Sequence, residues 1–99
     1  MTGNPDRCPT HPGELLREEL IPESGRSKTE IVRKLGISLK RLNDILAERK
    51  PVTPELSVKL TKLFGGTPET WSGLQYGHDM WHAFRKVDVP AMPPTVATE

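Results

Sequence analysis

Residues 27–48 read SKTEIVRKLGISLKRLNDILAE. At the start of this stretch Ser27 and Glu30 form a capping-box pattern, in which each side chain accepts a free backbone N–H at the beginning of a helix. Gly36 interrupts that helix, and Ser38 is suited to cap a second helix that runs to about Glu48. The stretch therefore predicts two short helices joined by a tight turn.

Apolar residues recur through the stretch at helical spacing. When two helices cross and share one core, the side chains that must face inward are Ile31, Leu35, Ile37, Leu42 and Ile45. Two helices joined by a tight turn that contains glycine form a helix-turn-helix, whose second helix enters the major groove of DNA. Helical bundles of other functions also contain such pairs, so the pattern needs independent support.

Basic residues provide that support, because they concentrate in the same part of the chain. Residues 26–50 carry eight basic and three acidic side chains, a net charge of +5, whereas the rest of the chain sums to −4. A run of charge is often only a solvated face. On a helix-turn-helix, however, it favours contact with DNA phosphates.

Two groups of side chains are candidates for contact with DNA. Ser27 and Lys28, together with free N–H groups at the helix start, form a candidate phosphate site, although Ser27 may serve only as a cap. The second helix and the residues after it supply the other candidates, which are Ser38, Leu39, Lys40, Arg41, Asn43, Asp44, Arg49 and Lys50.

The chemistry of the second group suggests separate roles. Lys40 and Arg41 can donate to guanine or to phosphates, Asp44 can accept from cytosine N4, and Leu39 can contact a thymine methyl group. These side chains are expected on the solvent side of the helix. Surface solubility remains the alternative explanation for all of them.

The remainder of the chain indicates one all-α domain of five helices. Its length of 99 residues suits a single modest core, and the leucine-rich apolar positions never alternate as in a strand. The first helix is expected to begin near Pro12 and to stop at Pro22 and Gly25. The fourth and fifth are expected to begin at TPE sequences, residues 53–55 and 67–69.

The two ends of the chain lack helical periodicity. We expect residues 1–10 and the proline-rich residues 87–99 to be flexible, on either side of a domain that spans residues 11–86. No signal peptide or membrane-spanning apolar run is recognised, so a cytoplasmic location is expected.

The predicted fifth helix has apolar residues on two faces. Trp71, Leu74, His78 and Trp81 fall on one side, and Tyr76, Met80 and Phe84 fall well round from them. A helix that packs on its own domain needs one apolar stripe, so the second face predicts a homodimer or another partner. Gly73 and Gly77 beside that face would let a second backbone approach, unless all these residues serve one core.

His78 and His82 are four residues apart, as are the two histidines of zinc-binding HExxH helices. Asp79 stands where such helices carry the catalytic glutamate, and no third ligand is evident from the sequence. The only cysteine, Cys8, has no partner for an intramolecular disulfide. We therefore expect no metal, no cofactor and no catalytic activity.

Several motifs resemble the helix-turn-helix antitoxins of the HigA/VapI type, within the Xre and phage-repressor superfamily. They are HPGELLREE at 11–19, KLGIS at 34–38, RLNDI at 41–45, VTPE at 52–55 and FGGTPETW at 64–71. The resemblance implies a five-helix fold of the lambda-repressor type, homodimerisation, operator binding and a RelE-like ribonuclease toxin as partner.

The sequence departs from this family pattern at two positions. Glu48 stands where such proteins usually have glycine after the recognition helix, and Val32 stands where the helix crossing usually has alanine. A residue other than glycine in a left-handed conformation at position 48 would cost about 1 kcal/mol.

The leading hypothesis is therefore an antitoxin that represses its own operon and neutralises a RelE-like, mRNA-cleaving toxin. A stand-alone Xre-type repressor without a toxin is the alternative within the same class. A protein-interaction module that no longer binds DNA and a metalloenzyme are alternatives from other classes.

Overall fold

The computed structural model describes residues 8–93, and five helices occupy this part of the chain. Helix α1 begins as Pro12–Leu15, continues as a π-helical segment, Leu16–Leu20, and ends with Ile21–Ser24. The other helices are α2, Lys28–Leu35; α3, Leu39–Leu46; α4, Pro54–Phe64; and α5, Pro68–Lys86. No strand occurs between residues 8 and 93. The predicted all-α fold of five helices is confirmed.

Helix α1 ends at Gly25, one of the two residues expected to stop it, which has a φ of 69°. Pro22, the other, does not stop the helix, which continues to Ser24. A proline inside a helix has no N–H for the carbonyl four residues back and crowds that carbonyl. Here the preceding turn is π-helical, with the Ile21 N–H bonded to the Leu16 carbonyl, and this wider turn accommodates the proline.

The core draws on all five helices and on one loop residue. Its buried apolar side chains are Leu16, Ile31, Leu35, Leu42, Ile45, Leu46, Val52, Leu56, Leu60 and Trp71. Four of the five inward-facing positions predicted in the helix-turn-helix are buried, and the fifth, Ile37, is half-buried against the same cluster. Helices α2 and α3 therefore share one core, as their spacing predicted.

Hydroxyl groups cap the beginnings of three helices. The hydroxyl groups of Ser27, Ser38 and Thr53 each accept a backbone N–H three residues on, at 3.0–3.3 Å. Only half of the predicted capping box forms, because the Glu30 carboxylate pairs with Arg26 instead of a backbone group. Helices α4 and α5 both begin at their TPE sequences, as predicted, but Thr67 at the start of α5 makes no capping bond to the backbone.

Residues 87–93, after α5, are exposed and form no regular secondary structure. The remainder of the expected flexible ends, residues 1–7 and 94–99, lies outside the described residues. The flexibility of both ends stays a prediction. Within residues 8–93, no helix is long and apolar enough to cross a membrane.

Candidate nucleic-acid interface

The turn between α2 and α3 sets the direction of the second helix. Gly36 has a φ of 70°, a left-handed conformation in which a residue with a Cβ atom would be strained. The N–H groups of Gly36 and Ile37 both donate to the Val32 carbonyl, at 2.8 and 3.2 Å. The Val32 carbonyl near the end of α2 thus has its hydrogen bonds within the chain, and α3 can start after Ser38 in a new direction.

Helix α3 turns one group of side chains toward solvent. Leu39 is 44% exposed and the Lys40 side chain is 85% exposed. Arg41 is half-buried, and its Nη2 atom donates to the Thr53 hydroxyl at 3.4 Å. Lys40 and Arg41 border a groove of about 330 Å³ between α3 and the segment that contains Lys50. The predicted base-contacting residues Leu39 and Lys40 are therefore accessible.

Asp44 is not on the solvent side of α3, and that expectation is wrong. The residue is only 7% exposed, and its two carboxylate oxygens accept from Arg49 Nη2 at 2.8 Å and Lys40 Nζ at 3.1 Å. The hydrogen bond from Arg49, followed by that from Lys40, holds the pKa of the Asp44 carboxyl below its usual value. Asp44 thus orients two of the candidate DNA-contacting cations.

This arrangement predicts a pH-dependent contribution to stability. A lowered pKa in the folded state means that Asp44 stabilises the fold fully above its unfolded value, near 3.8, and loses that contribution as the pH falls through the folded value. In Asp44→Asn, we expect a shallower loss of stability below about pH 4. Urea denaturation of both proteins from pH 2.5 to 7 measures the difference. If the free energy of unfolding falls equally in both proteins at acid pH, the ion pairs of Asp44 do not stabilise the fold.

Lys28 and Asn43 join the start of α2 to α3. Lys28 Nζ donates to Asn43 Oδ1 at 3.1 Å, so these two predicted site residues meet although they are fifteen positions apart. Ser27, immediately before Lys28, is exposed. The candidate phosphate site at the start of α2 therefore adjoins the exposed side of α3.

Arg17 is a part of this region that sequence reasoning missed. Its Nη1 atom donates to the Leu46 carbonyl at 2.6 Å and lies 3.5 Å from the Glu48 carboxylate. A side chain of α1 thus provides a hydrogen-bond donor for the last carbonyl of α3. Glu48 has a φ of 63° and is the only residue other than glycine with a positive φ between residues 8 and 93. Glu48 thus adopts the left-handed conformation, which costs about 1 kcal/mol in a residue other than glycine.

Gln75 is a second residue that the sequence did not single out. It is buried in α5, and its Oε1 atom accepts the Val52 N–H at 2.8 Å. This bond fixes the segment that follows Arg49 and Lys50. Gln75 could have been noticed only as a polar residue on the otherwise apolar face of α5.

The two faces expected on α5 are present. Trp71 is 3% exposed, whereas Tyr76, Met80 and Phe84 are 68%, 41% and 81% exposed. We call these three residues the α5 stripe. Of the two glycines expected beside it, Gly73 has open space around it, but a Cβ at Gly77 would lie 3.9 Å from Pro9 of the same chain. Gly77 is therefore partly covered by its own N-terminal segment and is not the open contact point expected.

No protein-family model matches the chain, but relatives with known names and structures do. It is 34% identical over 70 residues to virulence-associated protein I of Dichelobacter nodosus, covering 71% of this chain and 65% of that relative. The chain thus spans slightly less than two thirds of that relative's length.

Two solved structures share the fold over most of both chains. An addiction module antidote protein of the HigA family from Coxiella burnetii is 36% identical, with a TM-score of 0.73 over 81% of this chain and 87% of that one. Antitoxin GraA in complex with its operator is 33% identical, with a TM-score of 0.72 over 93% of this chain and 100% of that one. Neither relative is an enzyme, in agreement with the expectation for this chain. The chain belongs to the HigA family of helix-turn-helix antitoxin proteins.

Proposed function

We propose that this chain is a cytoplasmic, sequence-specific DNA-binding antitoxin, which represses its own toxin-antitoxin operon as a homodimer and neutralises a RelE-like, mRNA-cleaving toxin by binding it. The observation that carries the proposal is the exposed, basic side of α3 next to the start of α2, in a fold similar to that of GraA bound to its operator.

In this proposal, α3 lies in the major groove. Lys40 and Arg41 donate to guanine or to phosphates, and Leu39 contacts thymine methyl groups. Arg41 must leave Thr53, to which its present bond is long at 3.4 Å. Asn43 is positioned by Lys28 and faces the same side.

Phosphate contacts fix the helix in the groove. Ser27 and Lys28 at the start of α2 contact one backbone segment, because helix N-termini attract anions. Arg49 and Lys50, with Ser38 at the start of α3, contact another. Asp44 pairs with Lys40 and Arg49 and holds both cations beside α3.

The proposed dimer forms through the α5 stripe and the open Gly73. Three large apolar side chains exposed along one helix are typical of an interface rather than of a solvated surface. A two-fold dimer presents two recognition helices about 34 Å apart, one turn of DNA, so that each half-site strengthens the binding of the other.

Substitutions at two positions distinguish phosphate contacts, which position the protein on DNA, from base contacts, which read its sequence. Lys28→Ala should weaken binding to the operator and to a scrambled duplex about equally, and lower the log–log salt slope by about 0.9. Arg41→Ala should weaken binding to the operator alone, by about 1–3 kcal/mol. Fluorescence anisotropy with DNA from the chain's own promoter measures both effects.

Lys62→Ala provides the matched control, because Lys62 is an exposed lysine on α4, outside the proposed interface. It should bind like the unchanged protein. If all three variants lose affinity equally on both duplexes, the basic residues act only as general charge, and the proposed reading of bases by α3 is wrong.

The toxin part of the proposal rests on the antidote and antitoxin functions of the two similar structures. We expect the product of the neighbouring reading frame to cleave mRNA and arrest growth, and co-expression of this chain to restore growth. Arg41→Ala should still restore growth, because toxin binding does not need the DNA surface. A neighbour without such activity, with operator binding intact, would instead identify a stand-alone Xre-type repressor.

A further inference from the structure

Three side chains of metal-binding types meet beside α5, and none of them is among the candidate DNA-contacting residues. Cys8 lies in the segment before α1, and His78 and His82 lie on α5. One ligand atom from each falls within 4.8 Å of the other two. Cys8 Sγ is 3.4 Å from His82 Nε2, across 74 positions of sequence.

The fold itself holds these side chains together. His78 and His82 are one helical turn apart, with ring centroids 4.5 Å from each other. The segment that carries Cys8 lies over α5, where Pro9 approaches Gly77. His11, which follows, caps α1 by accepting the Gly13 N–H at 2.8 Å and places its ring against His78, with centroids 4.7 Å apart.

The spacing suits a tetrahedral ion. Zinc bonds of about 2.3 Å to sulfur and 2.0–2.1 Å to nitrogen place neighbouring ligand atoms about 3.5 Å apart. The contact between Cys8 and His82 already has nearly that length, and the remaining separations require closure by up to about 1.3 Å. Such closure needs only side-chain rotation, because Cys8 and His78 are half-buried and His82 is exposed.

His78 also has an unsatisfied atom at this place. Its Nδ1 atom is buried and makes no hydrogen bond, although the Asp79 carboxylate lies 3.5 Å away. Buried ring nitrogens are normally paired. Coordination of one ring nitrogen, with the other turned to a carboxylate, is the usual way in which proteins satisfy both atoms of a metal-bound histidine.

We propose that Cys8, His78 and His82 bind one Zn²⁺ ion, with the fourth position open to water or another donor. One thiolate and two imidazoles are ligands that zinc prefers among the common biological cations. Binding releases the thiol proton of Cys8, because only the thiolate is a zinc ligand. The ion clamps the segment before α1 onto α5 and stabilises the fold, because its ligands come together only in the folded chain.

This inference is independent of DNA binding and is tested without it. The full chain, prepared without a histidine tag and kept reduced with a phosphine, is titrated with Zn²⁺ by calorimetry and with Co²⁺ by visible absorption. We expect one ion per chain, a thiolate-to-cobalt charge-transfer band, and a rise in Tm that a chelator reverses.

Two variants identify the ligands. Cys8→Ser should abolish the charge-transfer band, and both Cys8→Ser and His82→Ala should weaken zinc binding by about 100-fold or more. Lys86→Ala, which removes an exposed side chain one turn from His82, is the matched control and should bind like the unchanged protein.

Circular dichroism of the metal-free proteins checks that each variant is folded. Because His82 is exposed, we expect His82→Ala to fold normally. It therefore tests the site even if Cys8→Ser disturbs packing. The proposal is overturned if the chain binds no Zn²⁺ in stoichiometric amount, or if folded Cys8→Ser and His82→Ala bind it as tightly as the unchanged protein.

Discussion

Alanine at position 13 is expected to cost about 3 kcal/mol of stability or more, a large share of the roughly 5–15 kcal/mol that stabilises a typical domain. Gly13 lies in the first turn of α1, where it crosses α3. A Cβ atom there would lie 1.9 Å from the carbonyl oxygen of Ile45. Backbone cannot rotate away as a flexible side chain does, so α1 and α3 must separate and the shared core must open.

Gly73→Ala is the matched control for this experiment when both variants also carry Met80→Glu, the change expected to separate the proposed dimer, so that the dimer contact at Gly73 does not affect the result. Gly73 is also within a helix, but a Cβ atom there would meet nothing within 4 Å. The same change should therefore stabilise α5 by up to about 1 kcal/mol, through helix propensity. Urea denaturation of the two variants should give effects of opposite sign, and a Gly13→Ala protein as stable as the parent would show that α1 does not pack this closely on α3.

Met80→Glu is expected to convert the proposed dimer into a folded monomer that binds the operator at least about 100-fold more weakly. Met80 lies in the middle of the α5 stripe, between Tyr76 and Phe84. In a two-fold dimer the new carboxylate faces its own copy across an apolar interface, where neither charge is solvated. Sedimentation gives the mass, and circular dichroism shows whether the monomer remains helical.

Met92→Glu applies the same chemical change outside the stripe. Met92 is 87% exposed in the segment after α5, so the variant should remain a dimer with normal affinity. A Met80→Glu protein that also stays dimeric with unchanged operator affinity would place the interface elsewhere and contradict the role proposed for α5.

The helix-turn-helix was predictable from sequence because its determinants are local. Ser27 and Ser38 cap the helices that they precede, and Gly36 adopts the left-handed conformation that the turn requires. The inward spacing of Ile31 and Leu42 follows from helical periodicity alone. Each of these features is set by residues within one or two turns.

The errors arose where distant residues decide the outcome. Asp44 has the spacing of an exposed residue, but Arg49 approaches it from the following loop and covers its carboxylate. Pro22 is a helix breaker by local rules, yet a π turn before it lets α1 continue. The position of Cys8 beside His78 and His82 could not be predicted, because Cys8 reaches α5 only through the tertiary fold.

The most direct test of the account is the affinity of the unchanged protein for its own promoter as the salt concentration is varied. A dimer that contacts phosphates through the starts of α2 and α3 and through Arg49 and Lys50 should show a steep fall in log affinity with log salt, about 0.9 for each phosphate neutralised. It should also bind the promoter far more tightly than a scrambled duplex at every concentration. An affinity that stays flat with salt, or that is equal for the two duplexes, would contradict sequence-specific binding of DNA by this helix-turn-helix.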